Sequence, residues 1–217
     1  SAGAGADGLR LDGGNSTVRG FIINNFSGNG VYLTSAGGDT IAGNYIGTNS
    51  AGTAAAANGY GVLVANNSTN TIGGSTANDR NVISGNTNYG VYVWGSGTSN
   101  NLIEGNYIGT NAAGTAAVAN LSGVVLGDGV DHTTVGGSSG AARNVIAGNT
   151  QYGVFITGSN NASNVIAGNY IGTNATATAG VGNGFQGIAI TAGSVNNTVG
   201  GTVAGSGNVI AYSGFDG

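Results

Sequence analysis

The chain has 217 residues, 46 of them glycine, with a net charge of −4 and only 6% charged side chains. It contains no Cys, which excludes a disulfide framework and a thiolate metal site. Its only basic residues are Arg10, Arg19, Arg80 and Arg143, too few for a nucleic-acid surface. No apolar run approaches the roughly 18 residues of a membrane span. The apolar fraction of 40% is high for a disordered low-complexity chain. The opening Ser1 to Asp7 does not read as a signal peptide, so the expectation is a removed leader or a segment of a longer chain.

Along the chain, short strand phrases alternate with Gly and Asn turns. Gly8-Leu-Arg-Leu11 is the first, and Thr17-Val18 opens the next. Gly30-Val-Tyr-Leu33 closes that unit, and Thr40-Ile41 opens another. Ile41-Ala-Gly-Asn-Tyr-Ile-Gly-Thr-Asn49 then recurs almost unchanged at Ile103 to Asn111 and at Ile166 to Asn174. Between these copies stand Arg80-Asn-Val-Ile-Ser-Gly-Asn86, Arg143-Asn-Val-Ile-Ala-Gly-Asn149 and Gly207-Asn-Val-Ile-Ala211. Gly-Val-x-Val closings follow at Gly61, Gly90, Gly123 and Gly153, with Gly187-Ile-Ala-Ile190 in the same place. A repeat at this scale signals a solenoid.

The repeat contains two alternating units around a shorter one. The stretch 15–38 is the bare coil. Other coils add a loop, after the second strand at residues 50–58 or before it at 75–80. Three short strands per coil, bounded by Gly and Asn, predict an all-β right-handed parallel β-helix of about seven coils, spaced about 4.8 Å apart. Residues 1–217 are expected to form one β-helix domain, either a segment of a longer rod or a stackable unit. One inward column is Ile41, Ile72, Ile103, Val135 and Ile166; another is Ile46, Ile83, Ile108, Ile146 and Ile171. Three residues after the second column stand Asn49, Asn86, Asn111, Asn149 and Asn174, whose amides are expected to bond coil to coil.

These phrases resemble the parallel β-helix repeat proteins of the pectate-lyase-like superfamily. Asn-Val-Ile-x-Gly-Asn, Gly-Asn-Tyr-Ile-Gly-Thr and Gly-Val-x-Ile are similar to repeats of large secreted surface proteins, over roughly residues 8–217. The resemblance implies a fold more than an activity, because one fold hosts many functions. Lyases and hydrolases of that superfamily use carboxylates that bind calcium or cluster on neighbouring coils. The acids here are Asp7, Asp12, Asp39, Asp79, Glu104, Asp128, Asp131 and Asp216. No pair of them falls in adjacent strand positions as a glycosidase requires, and Glu104 shares a column with Arg19 three coils away. No catalytic motif of the family can be placed residue by residue.

Other polar and aromatic positions bear on binding. Asp128, Asp131 and His132 are metal-ligand types, but three or four converging ligands are needed, and a solvated turn is the preferred reading. Arg80 and Arg143 are expected to bond loop carbonyls. Tyr45, Tyr107 and Tyr170 share one column, and Tyr60, Tyr89 and Tyr152 another; with Trp94 they are the candidates for glycan contact. Asn-x-Ser/Thr sequons stand at Asn15, Asn25, Asn66, Asn67, Asn120, Asn161, Asn174 and Asn196.

The ends match in phase, Asp7-Gly8 against Asp216-Gly217. Gly8, Leu9 and Leu11 at one end and Val209 and Ile210 at the other are the expected stacking surfaces, for flanking coils or for copies of the chain. The function expected from the sequence is a structural or filament-forming rod, extracellular or at a cell surface, without cofactors. The alternative is a carbohydrate-binding or adhesive module; polysaccharide cleavage ranks below both.

Overall fold

A computed structural model describes residues 3, 5–191 and 193–214. The chain winds as a right-handed parallel β-helix of seven coils, with three seven-stranded parallel sheets. Sheet A holds Leu9–Gly13, Asn29–Ala36, Tyr60–Ala65, Tyr89–Trp94, Ser122–Gly127, Val154–Thr157 and Ile188–Ile190. Sheet B holds Thr17–Arg19, Thr40–Ala42, Thr71–Gly73, Leu102–Glu104, Thr134–Gly136, Val165–Ala167 and Thr198–Val199. Sheet C holds Ile22–Ile23, Tyr45–Ile46, Val82–Ile83, Tyr107–Ile108, Val145–Ile146, Tyr170–Ile171 and Val209–Ile210. The only helical turn among the described residues is Ala77–Asp79, and no helix there is long and apolar enough to cross a membrane.

The core follows from alternation along strands and identity between coils. Val18, Ile41, Ile72, Ile103, Val135 and Ile166 form the inner column of sheet B. Ile23, Ile46, Ile83, Ile108, Ile146 and Ile171 form that of sheet C. All twelve are buried in one apolar cluster, as both sequence-derived columns require. The first coil is bare, with no inserted loop on either side of its sheet C strand. Loops in the second, fourth and sixth coils follow sheet C. Those in the third, fifth and seventh precede it.

The corners are held by buried side-chain amides. At the corner between sheets B and C, Asn44, Asn81, Asn106, Asn144, Asn169 and Asn208 form one unbroken ladder. Each Nδ2 donates to the Oδ1 of the next coil's Asn at 2.9–3.1 Å. Its other hydrogen points back, to the carbonyl of an inner-column residue such as Ile41 or Ile103. A second ladder, Asn58, Asn86, Asn120, Asn149 and Asn183, runs between sheets C and A. A third, before sheet B, links Asp39, Asn70 and Asn101, and resumes through Thr133, Asn164 and Asn197.

The structure corrects one column. Asn86 and Asn149 are ladder members, but Asn49, Asn111 and Asn174 are not. Their Oδ1 atoms accept the backbone N–H of Thr53, Thr115 and Thr178 at 2.9 Å, closing the inserted loops. The ladder partners of Asn86 are instead Asn58 and Asn120, beyond those loops.

The ladder also explains the glycine of the Gly-Val-x-Val phrase. A Cβ on Gly90 would lie 2.8 Å from Ile108 Cγ2 and 2.9 Å from Asn120 Nδ2. The amide and the core isoleucine already occupy the space a side chain would need. Gly30, Gly123 and Gly153 stand in the same relation to Asn58, Asn149 and Asn183.

Asp39 breaks the chemistry of its ladder. It is fully buried, Oδ1 accepts the Ser16 N–H at 2.9 Å, and Oδ2 has no partner. Asp39→Asn places an amide donor where the orphan oxygen stands and is expected to stabilise the fold by about 1 kcal/mol. Asn144→Ala strands the Asn106 amide and the Ile103 carbonyl. It is expected to cost about 3 kcal/mol. Chemical denaturation of both variants checks the opposite signs.

Candidate functional site

The turn after the fifth strand of sheet A does not gather its polar residues into a ligand set. Asp128 and His132 adopt left-handed backbone, at φ 51° and 46°. The Asp128 carboxylate accepts from Trp94 Nε1 and from the Ser159 N–H, each at 3.3 Å. His132 Nδ1 lies 3.6 Å from its neighbour Asp131, with both side chains open to solvent. Asp131 is also a backbone rung, paired with Ser99 and Ala162. The chain thus turns the Asp128 carboxylate toward Trp94 of sheet A and leaves that of Asp131 beside His132. Among the described residues no group of three His, Asp or Glu side chains converges.

The tyrosines divide by sheet. Tyr45, Tyr107 and Tyr170 lie on the outer face of sheet C, separated along the rod by Val82 and Val145. They share a column without touching. Arg80 lies over Tyr107 and Arg143 over Tyr170, each 4.2 Å from the ring centre. Arg80 Nε also donates to Gly105 O at 3.2 Å, and Arg143 Nε to Gly168 O at 2.8 Å, the loop-carbonyl role expected of them.

On sheet A, Tyr60 and Tyr89 close around Tyr92, with ring centres 5.2–5.8 Å apart. Tyr152 stacks on Phe155 at 4.2 Å and meets Phe185 edge-on. Ser122 separates Tyr89 from Tyr152 in their column, so these are two clusters. Burial first, then the charges of Tyr89, Asp128 and Tyr60, push the Tyr92 hydroxyl up to about 12. Trp94 is 39% exposed and follows Tyr92 on the same edge. Tyr92 and Phe155 were not singled out from the sequence; their outward place in the closing phrase was the available signal.

Arg19 and Glu104 share a column three coils apart, as expected from the sequence. Their link was not foreseen. Asp79, from the loop of the third coil, accepts from Arg19 Nη2 and Thr76 Oγ1, both at 2.6 Å. The Thr76 hydroxyl and then Arg19 lower the Asp79 carboxyl below its ordinary range. Burial, and after it the Asp79 charge, raises Glu104. Environments that separate two carboxyls in this way suit an acid and a base. Asp79, however, is already tied to two partners.

The two end faces differ. At the first coil, Val18 and Ile23 are 7% and 4% exposed, and Leu9, Leu11 and Phe26 pack on the core. Gly8 donates its N–H to Asn29 O at the start of the second strand of sheet A. At the seventh coil, the inner-column Val199 and Ile210 are 47% and 37% exposed, with Val209 outward beside them. Asp216 and Gly217, which carried the expected phase match, lie outside the described residues. Of the sequons, Asn67, Asn120 and Asn161 are buried, whereas Asn15, Asn25, Asn66 and Asn196 are exposed.

Fold and faces together define an all-β, right-handed parallel solenoid stabilised by buried amides. No protein-family model, curated protein or solved structure matches the chain.

The raised Glu104 carboxyl sets a pH dependence. A carboxyl raised on folding supports the fold below its unfolded value and loses that contribution as pH climbs through the folded value. Glu104→Gln is therefore expected to raise the melting temperature at pH 7 and to leave it unchanged near pH 3. Melting curves at both pH values test this.

Proposed function

We propose that the chain is a structural β-solenoid, a rod of the Asn- and Gly-rich repeat type found in secreted surface proteins, which extends by taking a further coil on its C-terminal face. The observation that carries this reading is the direction of the ladders. Every amide-to-amide bond of the ladder between sheets B and C runs from Nδ2 to the Oδ1 of the next coil toward the C-terminus. Asn197 and Asn208 are the last donors, and among the described residues no Oδ1 lies beyond them. Beside them Val199 and Ile210 leave the ends of two core columns exposed. Unpaired strand edges with this chemistry invite another parallel strand.

The chemistry that a further layer would need is specific. Asn208 calls for an acceptor at the corner between sheets B and C. The first coil has Phe21 there, the residue whose backbone N–H donates to Asn44. At the corner before sheet B it has Ser16, which donates likewise to Asp39. An Asn-cornered coil fits the C-terminal face better than this first coil does. That preference favours continuation by the repeat over in-register stacking of whole copies. The non-catalytic part of the reading rests on Asp128 being held by Trp94 and Ser159, apart from the exposed Asp131–His132 pair, and on Asp79 being held by Thr76 and Arg19.

A copy of residues 154–187 appended after residue 217 tests the extension. The added coil is expected to become protease-resistant and to raise the melting temperature. Changing its copies of Asn164 and Asn169 to Leu is expected to remove both effects. An added coil that stays protease-sensitive sinks the proposal.

A second reading, a carbohydrate-contacting module, is favoured by one place. Trp94 is partly exposed, its Nε1 is fixed on Asp128, and the Tyr92 and Trp94 rings pack over Gly127. An aromatic ring beside a carboxylate acceptor suits a sugar face and its hydroxyls. Trp94 is the only tryptophan, so its fluorescence reports binding directly. An oligosaccharide ligand is expected to shift that emission; a flat titration across neutral glycans rejects this reading.

A further inference from the structure

Sheet C differs from the other two in having inserted loops along both margins. One loop set precedes its strands and the other follows them, so its outer face is the floor of a trough. Within that trough lies a hollow of about 100 Å³, lined by Arg80, Arg143, Tyr107, Tyr170, Val145 and Ala175. That volume holds roughly three waters.

The two arginines are the notable feature. The chain has four cations and eight acids, and the other two cations are paired. Arg10 meets Asp12 at 3.1 Å and Arg19 meets Asp79 at 2.6 Å. Among the described residues Arg80 and Arg143 have no carboxylate partner. Each is nevertheless fixed, with Nε on a loop carbonyl and the guanidinium plane over a tyrosine. A guanidinium carries five N–H donors. The two contacts occupy one donor and one face, and the Nη donors have no protein acceptor among the described residues.

Charge repulsion makes this placement informative. The arginines stand in the third and fifth coils, two coil spacings apart, which is about 10 Å. Both line one hollow, and both are held by neutral partners in a chain of net negative charge. Preorganisation removes much of the rotamer entropy an arginine would otherwise lose on binding. Planar N–H forks of this kind match oxyanions bidentately. We propose that the Arg80–Arg143 hollow is an oxyanion-binding site, taking a sulfate or carboxylate group either as a free ion or as a substituent of an acidic glycan.

The site is independent of coil extension, so its test stands apart from that of the rod. Calorimetric titration in low-chloride buffer would use sodium sulfate, a sulfated disaccharide and the same disaccharide without sulfate. The intact chain is expected to bind both sulfated ligands and not the neutral one. Tighter binding of the disaccharide than of sulfate identifies a glycan site; equal binding identifies a free-ion site. Arg143→Gln is expected to weaken binding by about tenfold or more, and Arg80→Gln/Arg143→Gln to abolish it. Arg143→Lys keeps the charge, loses the fork and is expected to fall between. Melting curves confirm that each variant is folded. Binding retained in the folded double variant, or no binding of either sulfated ligand to the intact chain, overturns the proposal.

Discussion

The buried, one-directional hydrogen bond from one asparagine amide to the next is the constraint on which the rest of this structure depends. An amide out of water with no partner is costly, and each one here is satisfied by the Asn of the next coil on one side and a backbone carbonyl of the preceding coil on the other. A slip of a single residue would leave a row of amides unpaired and turn the isoleucine columns outward. The ladders therefore fix register where strands of two or three residues could not do so alone. They also account for glycine at the start of the closing phrase, because the amide and the isoleucine already fill the volume of its missing side chain.

With the corners fixed in this way, variation is confined to the loops and outward faces. Loops enter on alternate coils at the two margins of sheet C, while the inner columns pass through both coil types unchanged. Sheet A carries aromatic clusters and Trp94, sheet B carries the Arg19–Asp79–Glu104 group, and sheet C carries the two arginines. Each face presents a different chemistry on one scaffold, and the low overall charge makes the few unpaired charges informative. The ladders also give the rod a direction, because every amide-to-amide bond between sheets B and C runs from Nδ2 to the Oδ1 of the next coil.

The seven coils, the bare first coil, the alternating loops and both isoleucine columns were legible in the sequence. Each depends on short-range periodicity, and a β-branched residue between Gly and Asn turns has few other places to go. The ladder amides were legible only in part. Counting three residues on from Ile83 reaches Asn86, a true ladder member, but the same count from Ile46 reaches Asn49, which closes a loop. The true neighbour, Asn58, lies beyond the insertion. Spacing along the chain does not reveal on which side of an insertion the corner is rebuilt.

The sequence by itself determined the period, the inside and outside of each strand and the number of coils, because these follow from local alternation repeated in register. Only the tertiary structure decided which asparagines meet, that Asp79 reaches Arg19 from a loop, and that Arg80 and Arg143 stand over tyrosines in one hollow. These contacts join residues in different coils, often through inserted loops. Their geometry is set by how the loops fold back on the rod, which local sequence pattern does not encode.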